Sequence, residues 1–280
     1  MPTRAIAHPP FWRAFEALLI VISRAGLLFL AWLVVSHTRP LLPLMLLRGF
    51  TILVVTPAVA ALLIERAFAT TVTVEADGLV LQQDDWRVDI PRTAIAHVDP
   101  WTIPLPGSGL WLRLRSGRRF SYGLQLPDPT PFIEALARTG GSAGVETALQ
   151  HPSVIYARVR GGGRQWRWYH PLLKFVVFAL VPTLPLFRLH QYVVFGGTFG
   201  EYYLRGLQPY LLDFATHWMV LTIYLVLYNG VWRSVAEVVA LAAAWAAPSR
   251  AARVRRAAEI GCRVLYYGGV PVLLIGYFLP

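Results

Sequence analysis

Two kinds of apolar pattern alternate along the chain. Residues 15–36 and 43–64 are nearly continuous apolar runs. Each is long enough for a helix to cross a hydrocarbon core of roughly 30 Å. His37-Thr38-Arg39-Pro40 makes a tight exit between them, which predicts a helical hairpin. From Thr70 to Gly140 the period shortens to two. Val72, Val74 and Ala76 alternate with Thr71, Thr73 and Glu75, the pattern of a half-buried strand. Asp77-Gly78 suits a tight hairpin turn, and Leu79, Val80 and Leu81 open a second strand. Asp84-Asp85 turns again into Trp86–Ile90. Leu110, Leu112 and Leu114 alternate with Trp111, Arg113 and Arg115. Ser116-Gly117 then turns the chain into a partner strand over Arg119–Tyr122. Asp128 or Thr130 caps a helix over 132–137 whose first turn tolerates proline, and Gly140-Gly141 stops it. The stretch reads as several strands closed by one helix.

Apolar runs then resume. A third span is expected over about Pro171–Tyr192, kinked by Pro182 and Pro185, and a fourth over about Tyr210–Val231. Ser234–Ala247 continues the fourth as a helix, inside the bilayer or beyond it. A short last span covers about Val264–Leu279. The expected fold class is mixed: a polytopic α-helical membrane protein of about five transmembrane helices, with an inserted small β-sandwich or barrel capped by a C-terminal helix. The expected divisions are an N-terminal arm and helical hairpin (1–66), the inserted domain (67–141), a basic aromatic linker (142–170) and a three-helix region (171–280) containing a basic segment at 248–263.

Residues Ile90-Pro91-Arg92-Thr93-Ala94-Ile95-Ala96-His97-Val98 refine this reading. An Ile-Pro pair, an Ile a few residues on and a further branched apolar residue resemble a recurring feature of the bacterial pleckstrin-homology-like domains of membrane proteins. Such a domain often follows a pair of transmembrane helices, as here. The resemblance covers residues 67–141, about a quarter of the chain. It implies a β-sandwich capped by a helix, and it brings neither a catalytic residue set nor a ligand.

Composition agrees with a membrane protein: 56% of residues are hydrophobic, against about 45–50% in soluble domains. The net charge of +11 is almost all arginine, with Lys174 the only lysine. These arginines lie beside the apolar runs, where the positive-inside rule and anionic lipids account for them without nucleic acid. With five spans, the inserted domain, its linker and segment 248–263 share a side. Their arginines place that side, and the N-terminus, in the cytoplasm of a bacterial inner membrane, with Pro280 outside. Met1–Arg13 reads as a short polar arm. It is not read as a secretory leader, because Glu16 and Arg24 interrupt the apolar run and no small-residue cleavage site follows. Cys262 stands alone, which excludes an internal disulfide and a multi-cysteine metal site.

Candidate chemistry is sparse. Arg24 and Arg48 fall within spans, where ionisable groups are costly. Arg48 can snorkel to an interface, whereas Arg24 lies deeper and has Glu16 two turns back as a possible partner. Asp213 and His217 are spaced i, i+4 and share a helix face, with His190 and Glu201 at the same end of the span. A metal site needs more ligands than this pair offers, so neither a metal nor a cofactor is predicted. Asp84, Asp85 and Asp89 lack the spacing of a calcium loop, and no nucleophile elbow, phosphate loop or dinucleotide fingerprint occurs. Two functions remain. One is an inner-membrane accessory or scaffold protein that binds a protein partner or lipid headgroups. Its surface would comprise Trp101, Trp111, Arg113, Arg115, Arg118 and Arg119 of the domain, with Arg164, Trp166, Arg167 and Trp168 of the linker. The expected partners are anionic membrane lipids and another membrane protein or a second copy, not nucleic acid. The other is a membrane enzyme or transporter for a lipid-like or small substrate, which requires Arg24, Asp213 and His217 to converge in one cavity.

Overall fold

The computed structural model describes residues 2–36, 42–75, 77–83, 86–138, 144–162 and 169–272. They divide into two compact units. One comprises Met1–Ser23, Thr56–Arg164 and Ala236–Ala258; the other comprises Arg24–Val55, Gln165–Val235 and Glu259–Pro280.

The first unit is built on a seven-stranded antiparallel sheet of order β4-β3-β2-β1-β7-β6-β5. Strands β2 (Ala69–Val74), β3 (Gly78–Gln83) and β4 (Trp86–Pro91) form the expected meander. Leu79 and Leu81 lie opposite Ile90 and Val88. The turn expected at Asp84-Asp85 lies outside the described residues. Strand β5 (Ile95–Pro100) pairs with β6 (Gly109–Leu114), and the register shifts between Ile95 and His97. The return strand expected over 119–122 is replaced by a single bridge from Arg113 to Arg119, and β7 follows at Gly123–Gln125.

The polar N-terminal arm is the central strand, β1 (Pro2–His8), inserted between β2 and β7. Its inward residues Ala5 and Ala7 are small, so the alternation carried little hydrophobic signal; both are nonetheless buried in the sheet core. Helix α3 (Thr130–Arg138) begins where Asp128 Oδ1 accepts a hydrogen bond from the Thr130 amide at 2.9 Å. It buries Phe132, Ile133 and Leu136 against Val72, Leu110 and Leu124. The glycines expected to end it lie outside the described residues.

The expected linker instead contains two short helices, α4 (Val145–Gln150) and α5 (Pro152–Gly161). Residues 236–258 complete this unit. Ala236, Ala240 and Ala244 recur every four positions and give a flat helix face. Ile155 and Tyr156 of α5 pack with Ala240, Ala244 and Ala251.

The second unit is helical. Among the described residues, four helices are long and apolar enough to cross a membrane: α1 (Pro10–Ser36), α2 (Pro43–Ala67), α6 (Tyr169–Phe195) and, beyond the short α7 (Gly200–Arg205), α8 (Leu207–Ala246). The expected fifth span continues past residue 272, outside the described residues. What precedes it is α9 (Ala251–Tyr267), which begins inside the basic segment. Within this unit Leu27, Leu30, Leu46, Val54, Ile223 and Leu227 form one buried cluster. Gly26 permits a close backbone approach between helices: a Cβ there would sit 2.7 Å from the Leu53 Cβ and carbonyl oxygen.

Two π-helical turns, Thr51–Val55 and Leu172–Val177, interrupt α2 and α6. Such turns leave carbonyls without their usual helical partners. At the second turn, Tyr266 Oη donates to the Lys174 carbonyl at 2.7 Å, and Trp218 Nε1 donates to the Val176 carbonyl at 2.8 Å. Lys174 Nζ donates to Asn229 Oδ1.

Candidate functional site

Strands β5 and β6 set the basic surface of the sheet unit. Their hairpin neighbour, the turn at Ser116-Gly117, needs a residue that accepts positive φ, and Gly117 has φ 80°. Arg115, Arg118 and Arg119 flank this turn, and all three are exposed. Arg113 differs from them. Its Nε lies 3.3 Å from Asp99 Oδ2, and His97 Nε2 lies 3.2 Å from Asp99 Oδ1. Part of the predicted arginine surface is therefore already paired with an acid, and among the described residues its exposed arginines are those of the turn.

The two tryptophans assigned to that surface are not equivalent. Trp101 is only 2% exposed. The guanidinium of Arg13 lies 3.7 Å from its ring centroid, and Arg13 Nη2 donates to the Leu105 carbonyl at 3.3 Å. Trp101 is thus a core residue under a cation, not a docking residue. Trp111 is half-buried beside it, with ring centroids 6.0 Å apart. Arg164, Trp166, Arg167 and Trp168 lie outside the described residues.

A buried polar group that the sequence did not reveal lies where β1 meets α1. His8 Nε2 is 3.0 Å from Glu16 Oε2, and both side chains are fully buried. Glu65 faces the same group and interacts with the side chain of Gln125. Glu16 is therefore a partner of His8. No local pattern could show this, because His8 reaches Glu16 only once the arm has entered the sheet.

The helical bundle expected to gather Arg24, Asp213 and His217 gathers a different set. Arg24 is exposed, as is Arg48. Asp213 and His217 do share a face of α8, with His217 Nδ1 3.3 Å from Asp213 Oδ1. Their third member is His190 of α6, whose Nε2 lies 3.4 Å from Asp213 Oδ2. The pairing of α6 with α8 runs antiparallel: 190 meets 213, 187 meets 214, and 174 meets 229. Two apolar runs joined by a short connection carry this register only weakly, so the sequence offered His190 and Glu201 alike as neighbours of the pair, and the structure brings in His190. Glu201 does not join them. It is 4% exposed, accepts from Gln191 Nε2 at 3.0 Å and lies 3.7 Å from Arg205.

A third network ties 236–258 to the rest of the sheet unit. Tyr156 Oη donates to Glu237 Oε2 at 2.5 Å, and Arg255 grips both oxygens of Glu237 at 3.2 and 3.3 Å. Burial, followed by the hydrogen bond to Glu237 and its charge, raises the Tyr156 pKa above the ordinary tyrosine value. These residues are satisfied by one another, and the network reads as an anchor. No protein-family model, curated protein or solved structure matches the chain.

Proposed function

We propose that this is a membrane-anchored accessory protein whose sheet domain docks onto an anionic surface at the membrane. The observation that carries the reading is the exposed cluster of Arg115, Arg118 and Arg119 around one rigid turn, set apart from the acid-paired Arg113. A guanidinium forks onto phosphate or carboxylate oxygens, so either a lipid headgroup or an acidic protein face fits the turn. Seven antiparallel strands followed directly by α3 support the pleckstrin-homology-like reading. The departure is the strand order's centre, because β1 comes from ahead of the first apolar helix.

The inner membrane of a bacterium, with the sheet domain in the cytoplasm, is the location this reading takes. Its support is that the arginine-rich segments around 158–160 and 250–256 belong to one compact unit with the sheet. The alternative, a membrane enzyme or transporter, requires Arg24 to share a cavity with Asp213 and His217, and the exposure of Arg24 favours the accessory reading over it.

Two measurements test the docking turn. In native mass spectrometry of the full chain in detergent, added anionic phospholipid is expected to stay bound to the wild type. Charge reversal at Arg115, Arg118 and Arg119 to Glu is expected to weaken it at least tenfold. A photo-crosslinking residue placed at Arg118 in living membranes separates the sources: lipid adducts identify headgroups, and a discrete protein adduct identifies an acidic partner. No adduct of either kind, with lipid retention unchanged by charge reversal, overturns the reading.

A further inference from the structure

The connection from α6 to α8 brings His190, Asp213 and His217 together. One potential ligand atom from each lies within 4.8 Å of the other two. Two imidazoles and one carboxylate suit a divalent first-row transition ion, whereas Mg²⁺ and Ca²⁺ take oxygen ligands. Zinc to nitrogen or oxygen is about 2.0–2.2 Å, so a tetrahedral site wants ligand atoms roughly 3.3–3.6 Å apart. The His190 Nε2 to Asp213 Oδ2 approach, at 3.4 Å, already matches this.

The hydrogen bonds argue for a cation between these groups more than for a closed network. His217 Nδ1 lies 2.9 Å from the backbone carbonyl of Asp213. A carbonyl oxygen only accepts, so Nδ1 carries the proton and Nε2 keeps the lone pair. A histidine held by such a contact is the usual outer support of a metal ligand. Asp213 Oδ2 is buried, and its neighbour His190 Nε2, 3.4 Å away, does not make a well-aligned hydrogen bond to it. A cation bound here gives this buried carboxylate oxygen the well-aligned partner it lacks.

The surroundings restrict the site on one side and leave it open on the other. Phe187 packs edge-on against His217 at 5.4 Å and Phe214 at 5.2 Å, and Phe195 stands 6.2 Å from His190. The three side chains keep 35%, 27% and 29% exposure, so a further coordination position is reachable from outside.

We infer that His190, Asp213 and His217 form a binding site for a divalent transition-metal ion of the zinc type, with three protein ligands and an open position. This is independent of the arginine turn and stands or falls separately from it. The test uses the full chain in detergent, free of any affinity tag and stripped with EDTA, with Zn²⁺ alone as the probe. Equilibrium dialysis with elemental analysis is expected to show one saturable zinc per chain. Co²⁺ is expected to develop the visible absorption of a low-symmetry site. His190→Ala, His217→Ala and the near-isosteric Asp213→Asn are each expected to weaken zinc binding at least tenfold. Charge reversal at Arg115, Arg118 and Arg119 is expected to leave it unchanged. Absence of saturable zinc binding in the wild type overturns the inference. So does wild-type zinc affinity in Asp213→Asn and either histidine variant. Should a histidine variant fail to fold, the wild-type stoichiometry and Asp213→Asn decide the question.

Discussion

His151 shows how one side chain sets a local structure and a pH response together. It caps α5: Nδ1 accepts from the Ser153 amide at 3.3 Å and lies 2.7 Å from Ser153 Oγ. An accepting Nδ1 must be unprotonated, and burial pushes the His151 pKa below the ordinary histidine value. The folded state therefore binds this proton less well than the unfolded chain. The stabilisation is complete above about pH 6.5 and is lost as pH falls from there towards the depressed folded-state pKa. Losing a cap costs about 1 kcal/mol. Thermal unfolding of the purified protein is expected to show this acid-side loss. His151→Asn, which keeps an acceptor that does not titrate, is expected to flatten it. An unchanged acid slope in that variant would assign the slope to other groups. Trp101 teaches a related lesson. Its indole, assigned from the sequence to the docking surface, is instead buried under Arg13.

At the scale of elements, α8 is the decisive one. It runs unbroken from Leu207 to Ala246, and its residues from Ala236 onward belong to the unit that holds the sheet. The alanine face allows α5 to approach closely, and Glu237 fixes the register by binding Tyr156 and Arg255. Arg255 is 6% exposed while the Glu237 side chain keeps 27% exposure, so Glu237→Ala removes one partly solvated charge pair together with the Tyr156 hydrogen bond. A partly solvated pair and one hydrogen bond are each worth about 1 kcal/mol. Glu237→Ala is expected to lower unfolding stability by about 2 kcal/mol, and a double-mutant cycle with Arg255→Met to show a favourable coupling between the two side chains. A coupling indistinguishable from zero would contradict the assignment. The sequence placed Glu237 in an ambiguous helical extension, because nothing in 234–247 distinguishes lipid from protein as its surroundings.

The whole molecule is constrained by which segments share a unit. Residues 2–8, 69–125 and 236–258 fold together, so a membrane crossed by the apolar helices must be crossed an even number of times between them. Two crossings by α1 and α2, and two by α6 and α8, satisfy this condition. In a Cys262→Ser background, membrane-impermeant thiol labelling of Arg118→Cys and Arg253→Cys is expected to report one side, and Phe199→Cys the other. Labelling of positions 118 and 253 from opposite sides would refute the arrangement.

Much of the plan was legible along the chain because it rests on local periodicity. Four of the long apolar runs correspond to four helices, and the β2–β3–β4 meander and the capping helix α3 fall near their predicted places. A period of two or a run of twenty apolar residues needs no distant partner to be recognised. The features that tertiary structure decided all depend on pairing between remote segments. The N-terminal arm became a strand because β2 and β7 offered edges to its backbone, and its own side chains are too small to announce it. His8 acquired Glu16, and His190 acquired Asp213 and His217, only when separate elements met. Hydrophobic pattern is written residue by residue, whereas a polar site is a coincidence of positions that only the folded chain brings together.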